Sequence, residues 1–338
     1  MMRGLNAAEI GNVIDQMAAD RDGAKPIASD PGFIDVGGTV DPKGFCPFDR
    51  AGECAMTAVD GGSAVLLDGG SFLIAAVRVG SASYRDREYL AHSEPEFHLL
   101  HLSAGDLEDA YSIFFGKTVG GEPPDSPRGL DEAAGRIRTL LEWKAVENVV
   151  RDAEPGTITA FDGALWAGIR GIGPMLSRIV GTARKKKVAL CGISKRSMLT
   201  HRSRPLIPTV QMAGDGALPD RAWHYPLQIS GYGEKLFGEV HVAKFHPQSR
   251  YVFRADLSLP DGTPPATALG KLAYHANDPA YVGYPYPLAR VHNDVAFSRS
   301  EVEDLRSLLR SEALRKGMDP KEWQLTFQDF HDVLDKGR

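Results

Sequence analysis

The sequence is short of three things, each of which would have pointed to a different class of protein. Cysteine is the first: Cys46, Cys54 and Cys191 are the three present in 338 residues. So sparse and odd a set gives no disulfide framework, and Cys46 and Cys54 lack the CxxC pairs of a structural zinc site. A reduced, cytoplasmic protein is expected. Long apolar runs are the second. Ala64–Leu67 and Phe72–Val77 are strand-length, far below the roughly 18 residues of a membrane span. Met1–Asp15 carries no apolar core of the signal-peptide kind, so no membrane partner is expected. The third is an excess of basic charge: 39 Lys and Arg stand against 44 Asp and Glu, a net −5. A polyanion must therefore be met by a local patch rather than by a whole-molecule field.

What is present is an ordinary globular composition, 43% apolar and 25% charged, enough to bury a substantial core in one large domain or two modest ones. Asn6–Arg21 has apolar residues near helical spacing, and a Gly/Pro/Asp-rich connector follows from Gly23 to Gly52. Met56–Asp60 reads as a strand. Ser63–Leu67 and Phe72–Val79 flank the turn signal Asp68-Gly69-Gly70, and Phe97–Leu102 continues the meander. The periodicity then predicts a helix over Leu130–Val150, with Ala134, Ile137, Leu141 and Ala145 as its apolar stripe. Thr157–Phe161 reads as strand, Pro174–Thr182 as helix and Lys187–Ile193 as strand. Such alternation predicts an α/β fold with parallel strands. Further strands are expected at Gly238–Phe245 and Tyr251–Leu257, then closing helices, one opening at a capping-box pattern, Ser300-x-x-Glu303.

The chemistry-bearing residues cluster at predicted element ends. Asp60 precedes Gly61-Gly62-Ser63, and Asp162 precedes Gly163. Each is compatible with a plain Asp-Gly turn, but two after apolar strands of an α/β pattern fall where such sheets collect ligands. Glu142 borders the apolar stripe of its helix, either facing the sheet or pairing with Arg138 at i,i+4. His292 and Asp294 alternate to one side if their Tyr-Pro-rich segment is extended. Asp, Asp, Glu and one imidazole make a chemically sensible site for manganese or magnesium, and two such ions about 4 Å apart could activate water against a phosphodiester. From Arg170 to Arg204 there are ten Lys or Arg and no acid, among them Arg184, Lys185, Lys186, Lys187, Lys195, Arg196, Arg202 and Arg204. That segment is the candidate contact surface for a phosphate backbone, with Lys195 the best single phosphate contact.

At these residues the sequence resembles the NurA family of DNA-end-processing nucleases. The likeness runs from about Ala58 to Leu309. It consists of Val59-Asp60-Gly61-Gly62-Ser63, Arg138-x-x-x-Glu142, Phe161-Asp162-Gly163-Ala164-Leu165, Gly192-Ile193-Ser194-Lys195, and Gly283-Tyr284-Pro285 through His292, in that order. Two details depart from the family pattern: Gly61-Gly62 and Gly163-Ala164 follow the acids in place of Gly-Ser, and Asn293-Asp294 follows His292. The resemblance implies a ribonuclease H-like mixed sheet flanked by helices, in a nuclease domain at 56–310. An N-terminal extension (1–55) and a C-terminal helical tail (311–338) would flank it. It also implies manganese-dependent endo- and exonuclease activity on DNA in end processing or repair, a homodimer, and a HerA-type hexameric ATPase as partner. Metal or catalytic roles would fall to Asp60, Glu142, Asp162 and His292, with Lys195 nearby. Two other classes compete. Phe33-Ile34-Asp35-Val36-Gly37-Gly38-Thr39 resembles the phosphate turn of sugar kinases and actin-like ATPases, and a catalytically silent adaptor could dock on the same ATPase.

Overall fold

The computed structural model describes residues 11–15, 34–36, 39–86, 88–92, 94–201, 204–229 and 235–327. Residues 11–15 are helical; the rest of the helix expected over Asn6–Arg21 lies outside the described residues. Ile34–Asp35 (β1) pairs in parallel with Leu199–His201 (β9), and Arg204–Pro205 (β10) completes a small separate sheet. Ile34–Asp35 of the kinase-like segment are thus a short strand of a side sheet and not part of the main one.

Ten strands among the described residues form the main sheet. The meander is longer than expected: Ala55–Asp68 (β3) and Phe72–Arg85 (β4) pair along nearly their full length, with one irregularity between Val65 and Leu67. Glu88–His92 (β5) and Glu96–Ser103 (β6) share the far edge of β4. On the other side β3 pairs in parallel with Ile158–Phe161 (β7), and β7 with Ala189–Ser194 (β8). Phe253–Ser258 (β13), Glu239–Lys244 (β12), Trp223–Pro226 (β11) and Cys46–Pro47 (β2) then continue antiparallel. The mixed sheet flanked by helices is the one expected.

Helices cover both faces. Leu107–Thr118 (α1), Leu130–Asp152 (α2) and Gly173–Lys185 (α3) pack with Val59, Val77, Phe161 and Leu190 in one core. Pro265–His275 (α5) and Tyr286–Val295 (α6) pack with Ala58, Ala160, Cys191 and Ala255 in the other. Adjacent residues Ala58 and Val59 enter opposite cores, as the period of 2 in a strand requires. Leu206–Ala217 (α4) and α1 were not foreseen. Helix α4 holds two glycines and a proline, poor helix formers, and is kept by burying Leu206, Val210 and Gly214 against the β11 side. In Arg299–Arg315 (α7) the capping box is Ser298–Glu301, two residues earlier than the expected Ser300–Glu303. Both pairs fit the pattern. Burying Leu66 and Leu67 beside Phe297 and Val302 starts the helix at the earlier one, where Glu301 also pairs with Arg78. Pro320–Phe327 (α8) joins that outer cluster. No helix among the described residues is long and apolar enough to cross a membrane.

Candidate metal centre

Asp60 lies inside β3, not at its end as the Asp-Gly-Gly pattern suggested. What ends there is the neighbour. The parallel pairing with β7 stops at Val59↔Phe161, and Asp162 turns away with its amide donating to the Val59 carbonyl at 3.1 Å. Two carboxylates therefore meet where a short strand stops beside a long one.

Gly61 and Gly62 continue the strand, and each admits a partner on a different face. A Cβ on Gly61 would come within 2.6 Å of Glu142 Cγ, and one on Gly62 within 2.3 Å of the Val295 carbonyl oxygen. These glycines serve close approach, not the turn the sequence suggested. Because the Gly62 contact is to backbone, Gly62→Ala is expected to destabilise the fold by about 1–3 kcal/mol; a urea midpoint equal to wild type would contradict this role.

Asp60 shares the Gly62 face, and α6 brings His292 to it: His292 Nδ1 stands 2.8 Å from Asp60 Oδ2. His292 was expected on a strand with Asp294. It is on a helix instead, because Pro287 falls in the first turn, where a missing N–H costs nothing, and Leu288, Val291 and Val295 bury one helical stripe. Asp294 pairs with Arg290 and takes no part.

Glu142 approaches from the opposite face. The buried apolar residues of α2 are Ala133, Ala134, Ile137, Leu140, Trp143, Val146 and Val150; the expected Ala134 and Ile137 are among them, Leu141 and Ala145 stay half-buried, and Glu142 is buried at 4% exposure. Of the two sequence readings of Glu142, the surface one fails, since the side chain is buried, but its pairing with Arg138 holds. Glu142 faces the sheet and also accepts a hydrogen bond from Arg138 Nη1 at 2.9 Å, the same nitrogen donating to the Gly61 carbonyl at 3.0 Å.

Donor atoms of Asp60, Asp162 and His292 all lie within 4.8 Å of one another. Lys195, just past β8, places Nζ 2.6 Å from Asp162 Oδ2. Arg196 lines a groove with Asp162 and Lys195. Arg184–Lys187 are elsewhere: they end α3 ahead of β8, and the Lys187 carbonyl accepts from Gly156 before β7. The six residues of β8, about 20 Å of strand, separate them from the acids. Arg204 sits in the side sheet, and Arg202 lies outside the described residues.

Burial raises the Asp60 carboxyl above its ordinary pKa, the Asp162 charge adds to the rise, and His292 opposes it. Burial first, opposed by Arg138 and reinforced by the Asp60 and Asp162 charges, pushes Glu142 from 4.5 to about 8. A buried group of acids that its own cations do not neutralise is where a divalent ion is electrostatically welcome. The carboxylate and imidazole donors suit manganese or magnesium, so the residues fit such an ion.

Three participants were given no role from the sequence, although Tyr284 lies in the Gly283-Tyr284-Pro285 motif. Tyr284 comes close enough to Asp162 for that carboxylate, after burial, to raise its phenol pKa, and its ring centroid is 5.5 Å from Lys195 Nζ. Buried Arg254 and Asp256 pair at 2.7 Å, and Asp256 accepts from the Leu165 amide, pinning the loop after Asp162. Two opposite charges at i,i+2 in an apolar strand were the available sign of that brace.

A family model described as NurA domain matches residues 54–297. The crystal structure of the NurA nuclease from Sulfolobus solfataricus is similar with a TM-score of 0.58 and 14% identity, over 94% of this chain and 98% of that one. A crystal structure of NurA bound to dAMP and manganese is similar with a TM-score of 0.52 and 10% identity, over 96% of this chain and 100% of that one. No curated protein compared with the chain matches it.

Proposed function

The chain belongs to the NurA domain family, and from that premise we propose that it is a metal-dependent nuclease hydrolysing phosphodiester bonds in DNA. The observation that carries the reading is the convergence of Asp60, Asp162 and His292 within 4.8 Å, with buried Glu142 behind them. In this reading Asp60, Asp162, Glu142 and His292 hold the ion, manganese first and magnesium second; a NurA solved with dAMP and manganese supports that choice. Bound there, the ion would supply Lewis acidity and a water of lowered pKa.

The chain's own residues do the rest. Lys195 lies where it can hold a phosphate oxygen and offset charge developing on the phosphoryl group, and Arg196 extends that contact along the backbone. Arg138 fixes Glu142 against the Gly61 carbonyl, and the Arg254–Asp256 brace holds the loop carrying Asp162. A homodimer, a HerA-type hexameric ATPase as partner, and a place in DNA end processing or repair complete the proposal. These rest on the family resemblance.

The test is cleavage of end-labelled linear DNA by the purified chain with manganese, magnesium or chelator. Degradation is expected with manganese and none with chelator. No cleavage in any metal, even beside a cognate ATPase, would reject the nuclease and favour a silent adaptor.

A further inference from the structure

A cavity of about 640 Å³ opens directly off the metal centre, with Lys195 and His292 in its wall. Its size is within the roughly 300–1,000 Å³ of small-molecule sites. Its character differs from that of the acids beside it. Tyr251 and Tyr281, 69% and 40% exposed, line it, as does Tyr284, whose ring centroid is 5.5 Å from Lys195 Nζ. Asn293 and Gln248 add amide edges, and Asn293 Nδ2 donates to the Tyr281 hydroxyl at 3.3 Å. A second groove, which Asp162 lines, is basic, with Lys195, Arg196 and Arg254 in its wall. Lys195 belongs to both.

We propose that the aromatic cavity seats one unpaired nucleobase of the substrate strand, flanking the phosphate to be cut, so that the enzyme acts on DNA whose terminal or adjacent base is outside a duplex. This rests on the nuclease reading above. A paired base has both faces covered by its neighbours and its edge occupied, so it cannot enter a side cavity without leaving the stack. A base in a single strand is free to do so, and aromatic side chains receive any base because each has a π-face. The basic groove beyond Lys195 takes the sugar-phosphate backbone, which needs charge and no ring. The arrangement therefore sorts the two halves of a nucleotide between two grooves that share Lys195.

The experiment measures binding without catalysis: fluorescence anisotropy of a labelled single-stranded oligodeoxynucleotide in chelator, with a hairpin-capped duplex as the second probe. Tyr251→Ala and Tyr281→Ala should each weaken single-strand binding about tenfold, the scale of one base–aromatic stack, while Tyr→Phe at either position retains it. Binding of the capped duplex should be unchanged. An oligonucleotide in which one abasic residue is moved along the strand should show a single position whose loss weakens wild type and leaves the Ala variants unaffected. Wild-type affinity in both Ala variants, or equal loss for the capped duplex, would overturn the proposal. Failure of the nuclease reading shows separately, as wild-type chain that binds the strand yet cleaves nothing with manganese. Both tyrosines are surface side chains, and thermal melts of the variants check that the fold is intact.

Discussion

Asp60→Asn is expected to lose more than about 100-fold of manganese-dependent DNA cleavage, since loss of an outer-shell partner of a metal site alone costs roughly 10- to 100-fold. In chelator the same variant is expected to melt at the wild-type temperature or above it. The two expectations have one cause. Burial and the neighbouring Asp162 both disfavour the ionised Asp60 carboxylate, so without an ion its charge is a burden on the fold. Asparagine removes that charge yet keeps an oxygen for the Gly61 amide, which donates to Asp60 Oδ1 at 2.7 Å. A site that stores unfavourable charge for function gains stability when neutralised. Cleavage near the wild-type rate would remove Asp60 from the metal centre. A clear drop in melting temperature would make it a structural residue held by His292.

The second large effect is a pH dependence of stability set by Glu142. Its carboxyl is raised from 4.5 to about 8, chiefly by burial, with the Asp60 and Asp162 charges adding to it against Arg138. Below pH 4.5 the group is protonated in folded and unfolded chains alike and its contribution is fully present. Between 4.5 and 8 the unfolded chain releases the proton and the folded chain retains it, so stability falls as pH rises, levelling above about 8. At about 1.4 kcal/mol per tenfold change in proton affinity, this rise sets a ceiling of roughly 5 kcal/mol on the loss. Denaturation in chelator at pH 6 and pH 8.5 should therefore show wild type weaker at the higher pH, with Glu142→Gln nearly flat. Manganese should stabilise wild type most at the higher pH, because a carboxylate ligand must be deprotonated to bind. Equal slopes in wild type and Glu142→Gln would mean that Glu142 is already ionised in the apo fold. A metal effect independent of pH would place the ion away from Glu142.

How much of this was legible in the sequence follows from which interactions are local. Strand and helix periods, and the acids beside glycine, come from chain neighbours. The alternation of elements predicted the α/β sheet, and the ordered motifs around Asp60, Glu142, Asp162, Lys195 and His292 named the residues that the fold brings together. What failed depended on partners far along the chain. Asp-Gly-Gly has the local chemistry of a turn, and β3 runs through it because β4 pairs along its length and two helices need the space above and below Gly61 and Gly62. The Tyr-Pro segment looked extended, and α6 forms because one stripe of it is buried. Arg184–Lys187 are close to Lys195 in number and distant in space, because they precede β8 and Lys195 follows it, with the length of the strand between.

The sequence by itself thus determined the kind of fold and the identity of the acids, since patterning and residue chemistry are properties of the chain read in order. Tertiary structure alone decided which faces those acids occupy, that Glu142 is buried and raised to about 8, and that an aromatic cavity opens beside His292. Desolvation and close approach exist only once distant segments share a core.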